Sequence, residues 1–210
     1  MAAVISLPQA SKWAKQDNLP PIRQRNQASR TREYLTPSEV ERMIVAARRA
    51  GGRLSERDGL LIMVSYRHGF RASELIALRW DQIDLKAGTL LVARLKHGSP
   101  STHPLRGPEL RALRAWKREQ GDLTPYVFTS LRGGPMTRRT VHHVVSEAGR
   151  AAGIEFPVHP HMLRHATGYY LANAGQDTRA IQLYLGHKNI QHTVRYTELA
   201  TGRFKDFWKD

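Results

Sequence analysis

The chain has 210 residues, room for one sizeable core and an appendage but not for two full domains. Its 33 Lys and Arg face 18 Asp and Glu, a formal charge of +15. That excess favours a polyanionic partner, because released counterions and direct phosphate pairing both reward positive charge. Membranes are the rival polyanion, but no apolar run approaches a spanning helix, and the basic residues are dispersed rather than gathered on one amphipathic helix. Nucleic acid is the expected partner and no membrane is. The absence of cysteine excludes disulfides and thiolate metal sites and fits a cytosolic setting. Met1 to Leu7 lack a charged leader and Pro8 cuts them short, so no signal peptide is expected.

Residues 1–33 differ from the rest. Pro8, Pro20 and Pro21 interrupt any helix, and Lys12, Lys15, Arg23, Arg25, Arg30 and Arg32 meet only Asp17 and Glu33 as counter-charge. This reads as a flexible basic arm, either a strap along phosphates or a solvated tail. Order is expected from Thr36-Pro37-Ser38-Glu39, which carries a cap, a first-turn proline and a capping-box glutamate. Val40, Met43, Ile44 and Ala47 form one apolar face of that helix, and Gly51-Gly52 ends it. A second helix, about 55–67, is rich in Leu60, Leu61, Ile62, Met63 and Val64 and reads as buried, with Gly69 stopping it.

A strand is predicted over Thr89 to Leu95, a turn at Lys96-His97-Gly98, and a returning strand over Ser101 to Leu105. Gly107-Pro108 opens a helix with Leu110, Leu113 and Trp116 inward, and Val127-Phe128 reads as a short strand before the Gly133-Gly134-Pro135 turn. Thr137 caps a helix carrying Val141, Val144, Val145 and Ala148, closed by Gly153. Further helices are predicted near 160–174, 177–185 and 190–198, punctuated by Gly175 and Gly186. The expected fold is α+β, mainly α-helical, with a small antiparallel sheet. The basic arm at 1–33 would precede a single domain over 34–210.

Several basic side chains stand where each can meet a phosphate. Arg71 lies between a helix end and a short helix, where its guanidinium can fork onto two oxygens while Glu74 orients it. Lys96 sits on the hairpin turn, protonated if its pKa stays near the ordinary ~10.4 and able to act as a general acid. His161 and Arg164, three apart on one helix, share a face; one can manage a proton while the other binds the phosphate. His187, at a helix boundary, can donate a hydrogen bond. Tyr196 lies nine residues later, and its polar neighbours Arg195, Thr197 and Glu198 predict a phenol that is not deeply buried. Taken singly, Arg71 and Lys96 read first as ordinary helix-capping and turn residues and Tyr196 as a packing residue, while the segment with His161 and Arg164 is far less ordinary. His161 and His165 at i and i+4 also fit a metal pair, but no third ligand is evident and Arg164 would repel a cation.

Together these pieces resemble the catalytic domain of the tyrosine recombinases, the phage-integrase family. The likeness covers roughly residues 34–208 and is nearest to the short bacterial recombinases that invert fimbrial promoter elements. The stretches that carry it are HGFRASEL (68–75), RLKHG with THPL behind it (94–105), HPHMLRH (159–165), YLGHKNIQHTVRYT (184–197) and GRFKDFW (202–208). The resemblance implies Tyr196 as nucleophile and Arg71 and Arg164 as clamps on the non-bridging oxygens. It also implies Lys96 as donor to the leaving 5′ oxygen, His161 as the proton-transfer partner of Tyr196, and His187 as a donor to the phosphate. It implies cleavage and rejoining of double-stranded DNA through a 3′-phosphotyrosine, with neither cofactor nor metal. Inversion between inverted-repeat sites is the preferred role; integration or excision of a mobile element and a catalytically idle regulator are the alternatives. Four protomers on two sites, accessory DNA-bending proteins and a nucleoid location complete the expectation; Phe204, Phe207 and Trp208 either dock on a neighbouring protomer or fold back on their own core. Most relatives carry a separate N-terminal DNA-binding domain, and here only the basic arm precedes Thr36.

Overall fold

The computed structural model describes residues 34–94 and 100–198. The basic arm, the turn that carries Lys96 and the Gly202–Trp208 segment lie outside the described residues. Within them the fold is mainly helical with a three-stranded antiparallel sheet, as expected.

Helix α1 (Pro37–Arg49) starts on the expected box: Thr36 Oγ1 accepts from the Glu39 amide at 3.3 Å, and the Thr36 amide donates to Glu39 at 2.7 Å. Its apolar stripe, Val40, Met43, Ile44 and Ala47, is buried against α2 (Ser55–His68) and α5 (Arg138–Ala151). Helix α2 also packs on α4 (Gly107–Gln120) and α6 (Pro160–Asn173). It therefore has no wet face along Leu60 to Val64, which explains a sequence without amphipathic period there. A short α3 (Ala72–Ile76) follows, and α7 (Thr178–Leu185) and α8 (Gln191–Glu198) close the described chain.

Strands β1 (Ile83–Asp84), β2 (Thr89–Val92) and β3 (Ser101–Pro104) pair in that order, with Leu90 opposite His103. Leu90 and Val92 face the core while Leu91 is exposed, the alternation of a half-buried strand. Strand β2 stops at Val92, short of the predicted Leu95, because Arg94 turns inward to a buried carboxylate (below). Val127-Phe128 is buried but forms no strand. The Val127 amide donates to Leu78 O at 2.9 Å and its neighbour Tyr126 makes a single bridge to Arg79, which satisfies the backbone without a ladder. Leu110 is half-buried rather than inward like Leu113 and Trp116.

A buried polar belt fastens the sheet to the helices. His68 contacts His103 at 3.0 Å and Glu109 at 2.8 Å, Ser101 reaches the far side of His103 at 2.8 Å, and the His103 ring stacks on Tyr184 at 3.8 Å. One consistent proton assignment runs Ser101 to His103 to His68 to Glu109, with both rings neutral. Burial, then the neighbouring His68 and Arg94, pushes His103 down to about 3.

The ends of α2 and α7 meet at Gly69, whose φ of +59° is left-handed and whose added Cβ would lie 2.4 Å from Leu185 Cδ2. Gly153 has a similar φ of +69° with nothing within 4 Å. We predict that Gly69→Ala costs clearly more stability than Gly153→Ala, which should lose only the ~1–2 kcal/mol of left-handed backbone strain. Urea unfolding of both variants measures this, and equal losses would contradict the close approach at Gly69.

Candidate active site

Arg71 is the N-cap residue of α3. Glu74, one turn on, accepts from the Arg71 amide at 3.0 Å and from its guanidinium at 2.6 Å, so one carboxylate both caps the helix and aims the side chain. Burial pushes Glu74 up, but the Arg71 amide and the charges of Arg94 and Arg71 outweigh it and hold the carboxyl below its usual range. Arg71 itself keeps part of its side chain in solvent.

Arg164 comes from α6 and is 1% exposed. It donates to Gly69 O and, at 2.6 Å, to Leu185 O, tying the carboxyl-terminal ends of α2 and α7 together. Those carbonyls are the unpaired, electronegative ends of helices, so they neutralise part of the cation without a formal anion. Burial, then repulsion from Arg71 and Arg94, lowers Arg164 to about 9, still charged at neutral pH.

His187 follows Gly186, the left-handed C-cap of α7. Its Nδ1 lies 2.8 Å from the hydroxyl of Thr193, which is fully buried. With Thr193 as donor, the ring proton resides on Nε2, leaving a neutral donor at the cleft. Burial, then Arg164 and Arg71, drives His187 to about 3. His161, in the first turn of α6, is exposed at the surface. Its inner side is nonetheless desolvated, and that effect followed by Arg164 lowers it to about 4. An open cleft of about 670 Å³ is lined by Arg71, His187, Arg179, Lys188, Asn189 and His192, among others.

The structure thus gathers Arg71 and His187 on one cleft with Arg164 behind them, and Arg71 lowers the pKa of His161, Arg164 and His187 alike. Lys96 lies outside the described residues. Tyr196 departs from expectation: it is 1% exposed, not superficial. Its polar neighbours mislead because adjacent residues on a helix point to different faces; Tyr196 shares the inward face with Thr193, three residues earlier. The ring lies over Gly168, where an added Cβ would stand 2.5 Å from it, and meets Tyr169 edge-on at 5.0 Å. The phenol oxygen is 2.8 Å from His165 Nδ1. From the sequence His165 is a candidate metal ligand only; the signal for this contact is its place beside Arg164, one turn after His161. Burial, then His161 and Arg195, lowers His165 to about 2, so the ring is neutral, and its Nδ1 meets both the phenol and the Arg195 guanidinium, the latter at 2.5 Å. Among the described residues, no group of three or more His, Asp or Glu could hold a metal ion.

The phage integrase family profile matches residues 33–203. The type 1 fimbriae regulatory proteins FimE and FimB of Escherichia coli K12 are each 44% identical, over 85% and 86% of this chain and 91% of their own length. The tyrosine recombinase XerD of Pseudomonas aeruginosa is 35% identical over 82% of this chain and 59% of its own. Among solved structures, XerA recombinase superposes with a TM-score of 0.71 at 27% identity, covering 83% of this chain and 63% of that one. The XerH recombinase in a post-cleavage complex with its difH substrate reaches 0.73 at 21% identity, covering 91% of this chain and 56% of that one. The chain belongs to the phage integrase family, the tyrosine recombinases. It spans nearly the whole of the fimbrial proteins but under two thirds of the Xer chains.

Two outcomes follow from the histidines. His103 and His165 are neutral when folded, with pKa values of about 3 and about 2, below an unfolded value near 6.5. The unfolded chain therefore binds more protons as pH falls below about 6.5, and stability should be full above that pH and decline through the acid range. Urea unfolding at pH 7 and pH 5 should differ by roughly 2 kcal/mol for each of these two histidines; an unchanged midpoint contradicts their burial. Second, nitrogen-15 spectra should find the His187 proton on Nε2, an assignment that Thr193→Val weakens and Thr193→Ser keeps.

Proposed function

We propose that the protein is a site-specific recombinase that cleaves and rejoins double-stranded DNA through a 3′-phosphotyrosine, inverting a segment between inverted-repeat sites. The observation that carries this is that Arg71 and His187 share one cleft with Arg164 buried behind them, and Tyr196 stands on the helix that follows His187. The centroids of the His187 and Tyr196 rings are 6.2 Å apart.

A phosphodiester repels an electron-rich nucleophile, and fixed donors aimed at the developing charge remove that obstacle, each commonly worth about 10²–10³ in rate. In the proposed step the Tyr196 oxygen bonds to phosphorus and the bond to the 5′ oxygen breaks. Lys96 supplies the proton that the departing 5′ oxygen takes. Arg71 and Arg164 hold the non-bridging oxygens and His187 donates through Nε2. The phenol proton passes to His161. The free 5′ hydroxyl of the exchanged strand reverses each step, so the ester stores the bond energy and no nucleotide triphosphate is consumed. Four protomers on two sites would exchange strands pairwise, with the arm at 1–33 strapping DNA, the domain over 34–210 doing the chemistry, and the Gly202–Trp208 aromatics docking between protomers. Accessory DNA-bending proteins fit the same scheme. The inversion role is supported by the 44% identity to fimbrial regulatory proteins over nearly their full length.

Because Tyr196 is buried against His165, it must leave that partner before it can attack. Denaturant-resistant adducts on a nicked suicide duplex test the proposal: the wild type should form one in the presence of EDTA, and Tyr196→Phe should form none. Arg71→Ala and Arg164→Ala should each slow the adduct by about 10² or more. A wild-type protein that binds the duplex without any adduct would contradict recombination and favour a DNA-binding regulator.

A further inference from the structure

Arg94, at the end of β2, is a second buried cation behind the cleft, and nothing in the mechanism above uses it. Its side chain is fully buried, as is that of Glu74, and the two pair at 3.0 Å. Glu74 is thereby shared: Oε1 faces the Arg71 guanidinium at 2.6 Å, and Oε2 receives both the Arg71 amide and the Arg94 guanidinium at 3.0 Å. The rest of the Arg94 fork donates to carbonyls of the same helix ends that Arg164 binds: His68 O at 3.0 Å, Gly69 O at 3.4 Å, and Tyr184 O. Its stem occupies the space left open by Gly186, where an added Cβ would stand 2.6 Å from Arg94 Cγ. The guanidinium also lies 5.7 Å from the centre of the Phe70 ring.

We propose that Arg94 is a positioning residue for Arg71, acting through Glu74. It holds Oε2 so that Oε1 points at Arg71, and it takes up part of the carboxylate charge so that Arg71 presents a net positive charge to a bound phosphate. Without Arg94, one carboxylate faces one guanidinium and the pair is neutral; with it, the Arg71–Glu74–Arg94 group carries one net positive charge. This electrostatic share is separate from the packing that Arg94 also supplies. Burial holds the Arg94 pKa below its usual value, and Glu74 is the main group acting against it.

The inference rests on the site being one of phosphoryl transfer to Tyr196, and the experiment separates the two. Single-turnover adduct formation is measured on suicide duplexes with either an ordinary phosphate or an uncharged methylphosphonate at the cleaved link. The wild type, Arg94→Met, Arg94→Lys, Glu74→Gln and the Glu74→Gln/Arg94→Met double variant are compared, each first checked for a cooperative thermal melt. Arg94→Met should slow the reaction on phosphate by about tenfold or more and on methylphosphonate by much less, because Arg71 then faces the undivided charge of Glu74. Arg94→Lys should recover most of the phosphate rate. Removing Arg94 from the Glu74→Gln background should have little further effect, since the coupling runs through that carboxylate. If Arg94→Met does not fold, the comparison of the double variant with Glu74→Gln decides the matter, because both buried charges are then gone together. Equal losses on the two duplexes, no recovery by lysine, or additive effects in the double variant would overturn the inference and leave Arg94 a packing residue. Absence of any adduct from the wild type would instead overturn the reading of the site.

Discussion

The architecture of the site depends on one interaction: a buried guanidinium, Arg164, bound to the last carbonyls of two helices. Gly69 O and Leu185 O close α2 and α7, and neither can find an amide within its own helix. A cation inserted there satisfies both and fixes the distance between the helix ends. Arg71 enters just after the first end and His187 just after the second, so the same contact sets where both can point. Sequence neighbours of a helix end thereby become spatial neighbours of each other, although Arg71 and His187 lie more than a hundred residues apart.

Positive charge concentrated this way has a second effect. The cations of Arg71 and Arg94 lower Arg164, and Arg164 and Arg71 lower His161 and His187, while Glu74 is the carboxylate that links Arg71 to Arg94. Burial first, and then these cations, keep His161 and His187 neutral donors or acceptors at physiological pH rather than further cations. The site thus has permanent charge from arginine and proton-handling capacity from imidazole, two jobs that one residue type could not do together. Tyr196 feels this field, since it acts on Arg164, but its phenol is held on His165 with its ring closed over Gly168. Gly168 makes that seat possible, since any side chain there would collide with the phenol ring. The nucleophile proposed above is stored in this arrangement, and α8, an eight-residue helix carrying it near the end of the described chain, is the element that would have to shift.

Much of this was legible in the sequence. The capping box at Thr36, the apolar stripe of α1, the breaks at Gly69 and Gly186 and the pairing of β2 with β3 are local signals, each set by a few neighbouring residues. The positions of Arg71, His161, Arg164, His187 and Tyr196 were legible as a pattern too, because every one sits at a helix end or on a helix whose limits are local. What was not legible depends on partners distant in the chain. Arg94 turned inward cannot be read from its strand, since its carboxylate comes from Glu74 on another element. The burial of Tyr196 cannot be read from Arg195 and Thr197, which point elsewhere on the helix. His165 looked like half of a metal pair because spacing along α6 says nothing about which side chain α8 lays against it.

The most direct test of the account is a structure of the Tyr196→Phe protein on duplex DNA containing its own recombination site. The account predicts one backbone phosphate within hydrogen-bonding distance of Arg71, Arg164 and His187 together, with α8 displaced so that the ring of residue 196 has left His165 and faces that phosphorus. A phosphate bound elsewhere on the surface, with the aromatic ring still seated over Gly168, would contradict it.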